Sequence, residues 1–468
     1  MIKINFKGGT VSLGSLNHLV AVLDMLKIPH VSLGQRQNLF IDAPEHLNNL
    51  CEAELDDRGF ELEVNCNNYP NIISSYVTED VFSTHPWVSE GMYREALESL
   101  TYKPKLKVNI VDPTQGIIPI FTGNINFVCS KSLNFWYVYV KHVSIDGMQL
   151  YPYLIYTTEI GKFCKLLEIE LTKQTHTDLQ SISNYLNSQH TLISTEVSEE
   201  LSLGRIRFPH YEGMVNYGGK NWLGIYRRNN NFSTELLIGI LDLCLEQNIA
   251  ELYITPWQTL AIKGISESNR IAWEKLLGKH GINIRHSALE LNWQIPDTDK
   301  EASELKMFLV RQFDEHDIRT YGLTFAVKTK AMEIASSIII EKRNGEESFN
   351  VLFAEDFNPN KQKYNVYAEE VKKDELVFVL ERLSRKYYEQ LNTMVLPTEV
   401  VNKKTEKNLS KEVMQCSVCF TVYDPDFGDE LNNIPKGILF QALPESYCCP
   451  VCSSGKTKFS MIALQMAQ

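Results

Sequence analysis

No stretch of this chain approaches the ~18 consecutive apolar residues that a membrane-spanning helix needs, so a spanning segment is not expected. The N-terminal "MIKINFKGGTVSLG" has two lysines but no apolar run behind them, and Asp24 interrupts the later "LVAVLDMLKI". A secretory signal is therefore not expected either, and the expectation is a cytoplasmic protein. Positive charge is in deficit: 46 Lys and Arg face 58 Asp and Glu, a net charge of −12. That argues against a broad nucleic-acid-binding surface and leaves room only for a local basic patch. The eleven histidines form no H-x-x-x-H or H-E-x-x-H pattern, and no G-x-S-x-G is present. "NYGGKNW" (216–222) has adjacent glycines but neither a P-loop nor a dinucleotide fingerprint, and reads as a hairpin turn. "DEHD" around His316 reads as a polar helix end. No catalytic residue and no organic-cofactor site is assigned from these patterns.

What remains is an ordinary globular composition, 44% hydrophobic and 22% charged over 468 residues. That length suits roughly two to four domains with sizeable cores. Over the first 300 residues strand-like and helix-like segments alternate. "LKVNIVD", "INFVCS" and "FWYVYVKHV" are rich in β-branched and aromatic residues. "STELLIGILDLCLEQ" sets apolar side chains at 236, 237, 240, 241 and 244 on one helical face, with Ser233 or Thr234 as N-cap. "ELYITPW" follows as a strand, and "ESNRIAWEKLLGKHG" as a helix ending at Gly281. From about residue 301 the rhythm restarts: a helix ("ELKMFLVRQF"), four strands ("LTFAVK", "SIIIEKR", "NVLFAED", "KYNVYAEE") and a long amphipathic helix ("KDELVFVLERLSRKYYEQL"). These fit an open sheet covered by helices on one face. No short-period repeat is found.

The ten cysteines are distributed unevenly. Cys51, Cys66, Cys129, Cys164 and Cys244 are scattered among apolar neighbours and read as buried thiols. Cys416, Cys419, Cys448, Cys449 and Cys452 crowd the last 53 residues. Residues 398–412, "TEVVNKKTEKNLSKE", are polar without hydrophobic period and read as a linker. The unit beyond it is below the size at which a hydrophobic core alone usually suffices, so a metal staple is expected. The spacing Cys416-x2-Cys419-x29-Cys449-x2-Cys452 is a tetrathiolate signature suited to tetrahedral iron or zinc. Spacing alone leaves both metals open.

The residues between the cysteines add a resemblance. "CSVCFTVYDPDFGDELNNIPKGILFQALPESYCCPVCSSGKTKF" resembles rubredoxin in its Tyr423-Asp424-Pro425 turn, Gly428-Asp429, Ile434-Pro435-x-Gly437, Phe440, Leu443-Pro444, Cys449-Pro450-x-Cys452, Gly455-Lys456 and Phe459. The resemblance implies one iron per chain, cycling between Fe(3+) and Fe(2+), held by Cys416, Cys419, Cys449 and Cys452, with Zn(2+) as the alternative. Tyr423, Phe440, Tyr447 and Phe459 would form an aromatic core, and Cys448 would be a bystander. Four residues depart from the family pattern. Phe420 stands where glycine is usual, Ser453 replaces a small residue, Tyr447 a tryptophan and Met414 an aromatic. Phe420 puts the redox potential, not the fold, in question.

A looser likeness links "FTGNINFVCSKSLNFWYVYVK", "GRIRFPHYEGMVNYGGKNWLGIYRRN" and "AELYITPWQTLAIKGI", with Thr255 to Gln258, to the ferredoxin-like half-domains of nitrite and sulfite reductases. Catalytic members carry C-x5-C and C-x3-C motifs for a [4Fe–4S] cluster beside sirohaem. The scattered cysteines have no such spacing, which argues against the cluster and against sirohaem. Arg205, Arg207, Lys220, Arg227, Arg228 and Lys263 are candidates for an anion-binding surface, or plain solvated charge.

The expected fold is therefore α+β: a large N-terminal region of mixed sheets with covering helices (ferredoxin-like half-domains), plus a small C-terminal rubredoxin-like iron domain. The expected divisions are 1–300, of one or two subdomains; 301–397, a second α+β unit; 398–412, the linker; and 413–463, the iron domain. The expected function is electron transfer, with the N-terminal region docking a redox partner such as a reductase of nitrite or sulfite. The alternatives are a scaffold with a structural zinc ribbon, or a redox enzyme with an unrecognised N-terminal site; a carrier is favoured over a catalyst. No nucleic-acid or membrane partner is expected.

Overall fold

The computed structural model describes residues 1–79, 86–173, 178–201, 203, 208–209, 211–217, 219–282, 289–343, 345–393, 410–429, 431–432 and 434–465. The chain divides into two compact units, Met1–Leu391 and Asn392–Gln468. Of the expected linker, 398–409 lies outside the described residues, and Ser410 begins a strand, Ser410–Cys416.

The large unit is built twice over on one plan. Its first copy runs strand Ile2–Asn5, a 3-10 turn Lys7–Gly9, a short strand Thr10–Ser12, helix Leu13–Met25, strands His30–Leu33 and Asn38–Ile41, and helix Asn48–Asp57. The second runs strand Lys220–Tyr226, turn Arg228–Asn230, short strand Phe232–Ser233, helix Thr234–Glu246, strands Glu251–Thr255 and Thr259–Ser266, and helix Arg270–Lys279. A constant offset of 221 residues relates the turns, the long helices and the strand starts after them. Special backbone positions match as well. Gly8 and Asn229 (φ 69° and 59°), Lys27 and Asn248 (54° and 55°), and Gln37 and Gln258 (55° and 57°) all adopt left-handed conformations. Each long helix is N-capped by a serine at the same place. Ser12 Oγ accepts from Ser15 N at 3.0 Å, and Ser233 Oγ accepts from Leu236 N at 3.3 Å. The expected apolar face of the second helix, Leu236, Leu237, Ile240, Leu241 and Cys244, is buried.

The two copies exchange their short strands. Thr10–Ser12 pairs with Glu251–Tyr253 in the second sheet, and Phe232–Ser233 pairs with His30–Val31 in the first. The two resulting five-stranded antiparallel sheets are ordered 232–30–38–2–62 and 213–220–259–251–10 by their first residues. Helices from both copies close a shared core that includes Leu16, Leu19, Leu23, Leu237, Ile240 and Cys244. The expected hairpin is present, with Tyr217 opposite Lys220.

Each copy is followed by a mixed sheet. In the first, Ile73–Ser74, Val108–Val111 and Ile125–Cys129 are parallel, then Phe135–Lys141, Tyr153–Tyr156 and Ser194–Glu196 continue antiparallel. In the second, Trp293–Gln294, Phe325–Lys328 and Ile338–Lys342 are parallel, followed by antiparallel Ser348–Ala354 and Tyr364–Lys372. The four strands expected after residue 301 are found, with the two-residue strand Trp293–Gln294 as a fifth at the edge. Helices Lys300–Glu315 and Leu376–Thr393 bury Leu305, Leu309, Phe313, Leu376, Leu380 and Leu383 against the face that presents Phe325, Val327, Ile338 and Ile340.

The small unit is a three-stranded antiparallel sheet, Val422–Tyr423, Ser410–Cys416 and Phe459–Gln465, carrying long loops. Its compact core is aromatic: Tyr423, Phe440 and Tyr447 are buried, with Leu443, and Phe459 packs against them.

Candidate metal centre and a cavity in the large unit

Two loops of the same shape bring four cysteines together. In the first, Phe420 N donates to Cys416 O at 2.9 Å and Cys416 N to Thr421 O at 2.9 Å. In the second, Ser453 N donates to Cys449 O at 2.9 Å and Cys449 N to Ser454 O at 2.8 Å. Each closes a tight turn that aims both sulfurs of a Cys-x-x-Cys pair to one side. The four Sγ atoms lie within 4.8 Å of one another. Cys416 to Cys452 is 3.7 Å and Cys419 to Cys449 is 3.4 Å. These are far longer than an S–S bond and close to the roughly 3.8 Å edge of a tetrahedron with ~2.3 Å metal–sulfur bonds. The donor set thus fits a single tetrahedral ion. Among the described residues no other group of three or more His, Cys, Asp or Glu side chains is arranged to hold a metal.

Cys416 and Cys449 are buried, whereas Cys419 and Cys452 are partly open to solvent. Each of the two open sulfurs has a hydroxyl neighbour: Thr421 Oγ1 at 3.1 Å from Cys419, and Ser454 Oγ at 3.2 Å from Cys452. Against thiolates these hydroxyls are the donors, and the Thr421 hydroxyl holds the Cys419 thiol below its ordinary value. Thr421 and Ser454 were not singled out from the sequence. The signal was there, since each follows the second cysteine of its pair by two residues. Both departures from the family pattern at these turns fall where the backbone is left-handed: Phe420 has φ 63° and Ser453 φ 57°. Phe420 is 69% exposed, and Val418 and Val451 beside the open cysteines are 56% and 68% exposed.

Beneath the turns, Tyr423, Phe440, Tyr447 and Phe459 stack edge to face or tilted with ring centroids 4.9–5.9 Å apart. Tyr447, where a tryptophan is usual, uses its extra polar atom. Its phenol donates to Asp429 Oδ2 at 2.8 Å, and Asn432 Nδ2 donates to the same oxygen at 2.8 Å. Burial alone would raise the Asp429 carboxyl, but these hydrogen bonds outweigh it and hold it below its usual range. Cys448 is exposed, turned outward, with its Sγ 3.6 Å from Ser446 O.

In the large unit the scattered cysteines do not assemble. Cys51, Cys129, Cys164 and Cys244 are buried singly, and burial pushes the Cys51 thiol to about 11 and the Cys164 and Cys244 thiols to about 12. Cys66 is exposed. Most of the described members of the candidate cationic surface have partners of their own. Arg228 is held by Glu290 at 2.7 Å, Lys263 lies 3.8 Å from Glu79 and over the Tyr253 ring, and Arg227 Nε donates to Asn231 O. Lys220 is an exposed strand end, and Arg205 and Arg207 lie outside the described residues. His316 is the C-cap of its helix, as its polar context implies.

Sequence reasoning missed Arg36. It is partly buried, and its four hydrogen bonds all go to neutral acceptors: Asn71 O (2.9 Å), Val108 O (2.9 Å), Asn109 Oδ1 (3.2 Å) and Thr122 O (3.4 Å). Burial pulls its guanidinium down to about 9, against the opposing fields of Asp297 and Glu333. It borders a cavity of about 290 Å³ that Lys3, Lys107, Lys330, Asp297 and Cys66 also line. The position 221 residues on is Trp257, whose indole donates to Ile117 O at 2.6 Å and packs on Phe208 at 4.6 Å. One copy therefore fills with a tryptophan the place that the other lines with a partly buried cation.

A family model described as rubredoxin matches residues 413–459. Rubredoxin-2 of Chlorobaculum tepidum is 43% identical over 51 residues, 11% of this chain and 98% of that protein. The high molecular weight rubredoxin of Moorella thermoacetica is 36% identical over 87 residues, 18% of this chain and 38% of the relative. Among solved structures, the NirA protein of Mycobacterium tuberculosis superposes with TM-score 0.60 and 15% identity, covering 83% of this chain and 81% of that one. At that identity the likeness is one of fold, and it bears out the half-domain architecture expected of the large unit. Through its C-terminal residues the chain belongs to the rubredoxin family.

Proposed function

We propose that this rubredoxin-family chain is an electron-transfer protein whose C-terminal unit holds one iron on Cys416, Cys419, Cys449 and Cys452. The observation that carries the reading is the sulfur tetrahedron set within two matched turns. Iron bound there would supply one-electron exchange between its ferric and ferrous states. The chain's own contribution is to fix four thiolates so that little geometry changes with charge. Backbone and the Thr421 and Ser454 hydroxyls are presented to the sulfurs, and one edge, Cys419 and Cys452, is left open. The exposed Val418, Phe420 and Val451 make that edge apolar, suited to a small transient interface with a redox protein. In this reading the large unit docks the partner, a reductase, with reduction of nitrite or sulfite as the reaction class to try first.

The test is the colour of aerobically purified full-length protein. Red protein whose visible bands bleach with dithionite supports the reading. A colourless preparation with one zinc per chain, even from iron-replete cells, overturns it in favour of a structural zinc ribbon.

A second reading, a redox enzyme fed by the iron unit, is favoured by the Arg36 cavity, where a partly buried cation makes its hydrogen bonds to neutral acceptors. Its test is extraction of a bound cofactor from protein purified without denaturation. A tetrapyrrole or other redox group retained by the wild type and lost in Arg36→Met supports it, and equal absence from both removes it.

A further inference from the structure

A second cavity of the large unit, about 330 Å³, lies where the first turns of helix Lys300–Glu315 face the strand His30–Leu33 and the turn Arg228–Asn230. Its wall includes Lys306, on the buried face of that helix and only 7% exposed. A lysine this deep normally has a carboxylate partner. Among the described residues Lys306 has one hydrogen bond, to Tyr226 Oη at 3.3 Å, and its ammonium lies 5.3 Å from the centre of that ring. The nearest acid is already taken. Glu290, 3% exposed, accepts from Tyr226 Oη at 2.9 Å and from Arg228 Nη2 at 2.7 Å and Nε at 3.1 Å.

The other ionisable residues on the cavity wall are His30, Asp42, Asp299, Lys300 and Met1, whose terminal amine donates to Asn65 Oδ1 at 2.9 Å. Asp299 is committed to capping the helix through Ala302 N and to the Thr329 hydroxyl. The result is an amine beside an open space, out of water, with a phenol at its side. We infer that Lys306 is a nucleophilic amine that forms an imine with a small aldehyde or ketone admitted to this cavity, with Tyr226 as the adjoining proton carrier.

The chemistry balances without a further reactant. The Nζ lone pair forms the C–N bond while the carbonyl π pair moves to oxygen, which takes up a proton. The carbinolamine then loses that oxygen as water, and the nitrogen gives up its remaining proton as the C=N bond is completed. Tyr226 is placed to pass protons in both steps, because its hydroxyl already bridges Lys306 and Glu290. Two electrostatic tendencies agree with the roles. Burial lowers the Lys306 amine to about 8, only partly opposed by Glu290, so a substantial neutral fraction exists near neutrality. Burial and then Glu290 raise the Tyr226 phenol well above its usual value, so it stays protonated.

The experiment treats the folded full-length protein at pH 7.5 with limiting glyoxylate and cyanoborohydride, and maps carboxymethylated lysines by peptide mass spectrometry. Lys306 should label at least tenfold faster than the exposed Lys27, and that advantage should fall toward unity as the pH approaches 10.5. Tyr226→Phe should slow labelling of Lys306 at least fivefold and leave Lys27 unchanged. Labelling of Lys306 no faster than Lys27, or only after denaturation, overturns the proposal. Because the first comparison uses the wild type, it stands even if the variant fails to fold.

Discussion

At position 420 a phenylalanine sits in a backbone conformation that suits glycine. The left-handed region costs a residue with a Cβ about 1–2 kcal/mol, and at 69% exposure the Phe420 ring recovers little of that by burial. Phe420→Gly should therefore stabilise the iron-loaded small unit by about 1 kcal/mol, read as a higher guanidinium midpoint for loss of the visible bands. A lower midpoint would mean that the ring is held by contacts worth more than the strain. The neighbouring hydroxyls act on the metal rather than the fold. A donor aimed at a thiolate favours the more negative, reduced centre, so Thr421→Val and Ser454→Ala should each lower the reduction potential, by on the order of tens of millivolts. Voltammetry of the three proteins checks the sign. The four clustered cysteines were legible in the sequence through their covalent spacing, and the odd residue at 420 through the resemblance to rubredoxin. Arg36 was not, since its acceptors at 71, 108, 109 and 122 are brought together only by the fold.

Within elements, local signals were readable and long-range pairings were not. Ser233 announces its helix because the cap, the first turn and the apolar face are contiguous. Thr10–Ser12 and Phe232–Ser233 are short, and each pairs with a strand about 200 residues or more away, so nothing near them in sequence marks the exchange. The two-residue strand Trp293–Gln294 was missed because it is too short to show a period of its own and is defined by its pairing with Phe325 and Ala326. The hydrogen bonds of Asp429 with Asn432 and Tyr447 in the small unit offer a test at this scale. Tyr447→Phe removes the phenol that donates to Asp429 and should cost about 1 kcal/mol. The Asp429 carboxyl is depressed in the folded state. Its stabilisation is thus fully present above the unfolded aspartate value of about 3.9 and lost as the pH falls through the lower folded value. Acid titration of the visible bands should show Tyr447→Phe failing at higher pH than the wild type. Coincident acid midpoints would place the stability elsewhere in the aromatic core.

For the whole molecule, the two units depend on different forces. The large unit buries clusters of leucine, isoleucine, phenylalanine and tryptophan contributed by both copies of its repeat, whereas the small unit has three buried rings and Leu443. A core of that size falls short of the ordering entropy of some fifty residues, so the metal must supply the difference by binding the folded form alone. Calorimetry of the full chain should then show two transitions. Removing the metal with chelator under reducing conditions should abolish the smaller one together with the colour. The larger transition should stay within about 2 °C, because the core clusters of the large unit are built from its own residues. If both transitions fall together, the metal stabilises more than the unit that binds it, and the aromatic core is a poor measure of what holds the C-terminal residues in place.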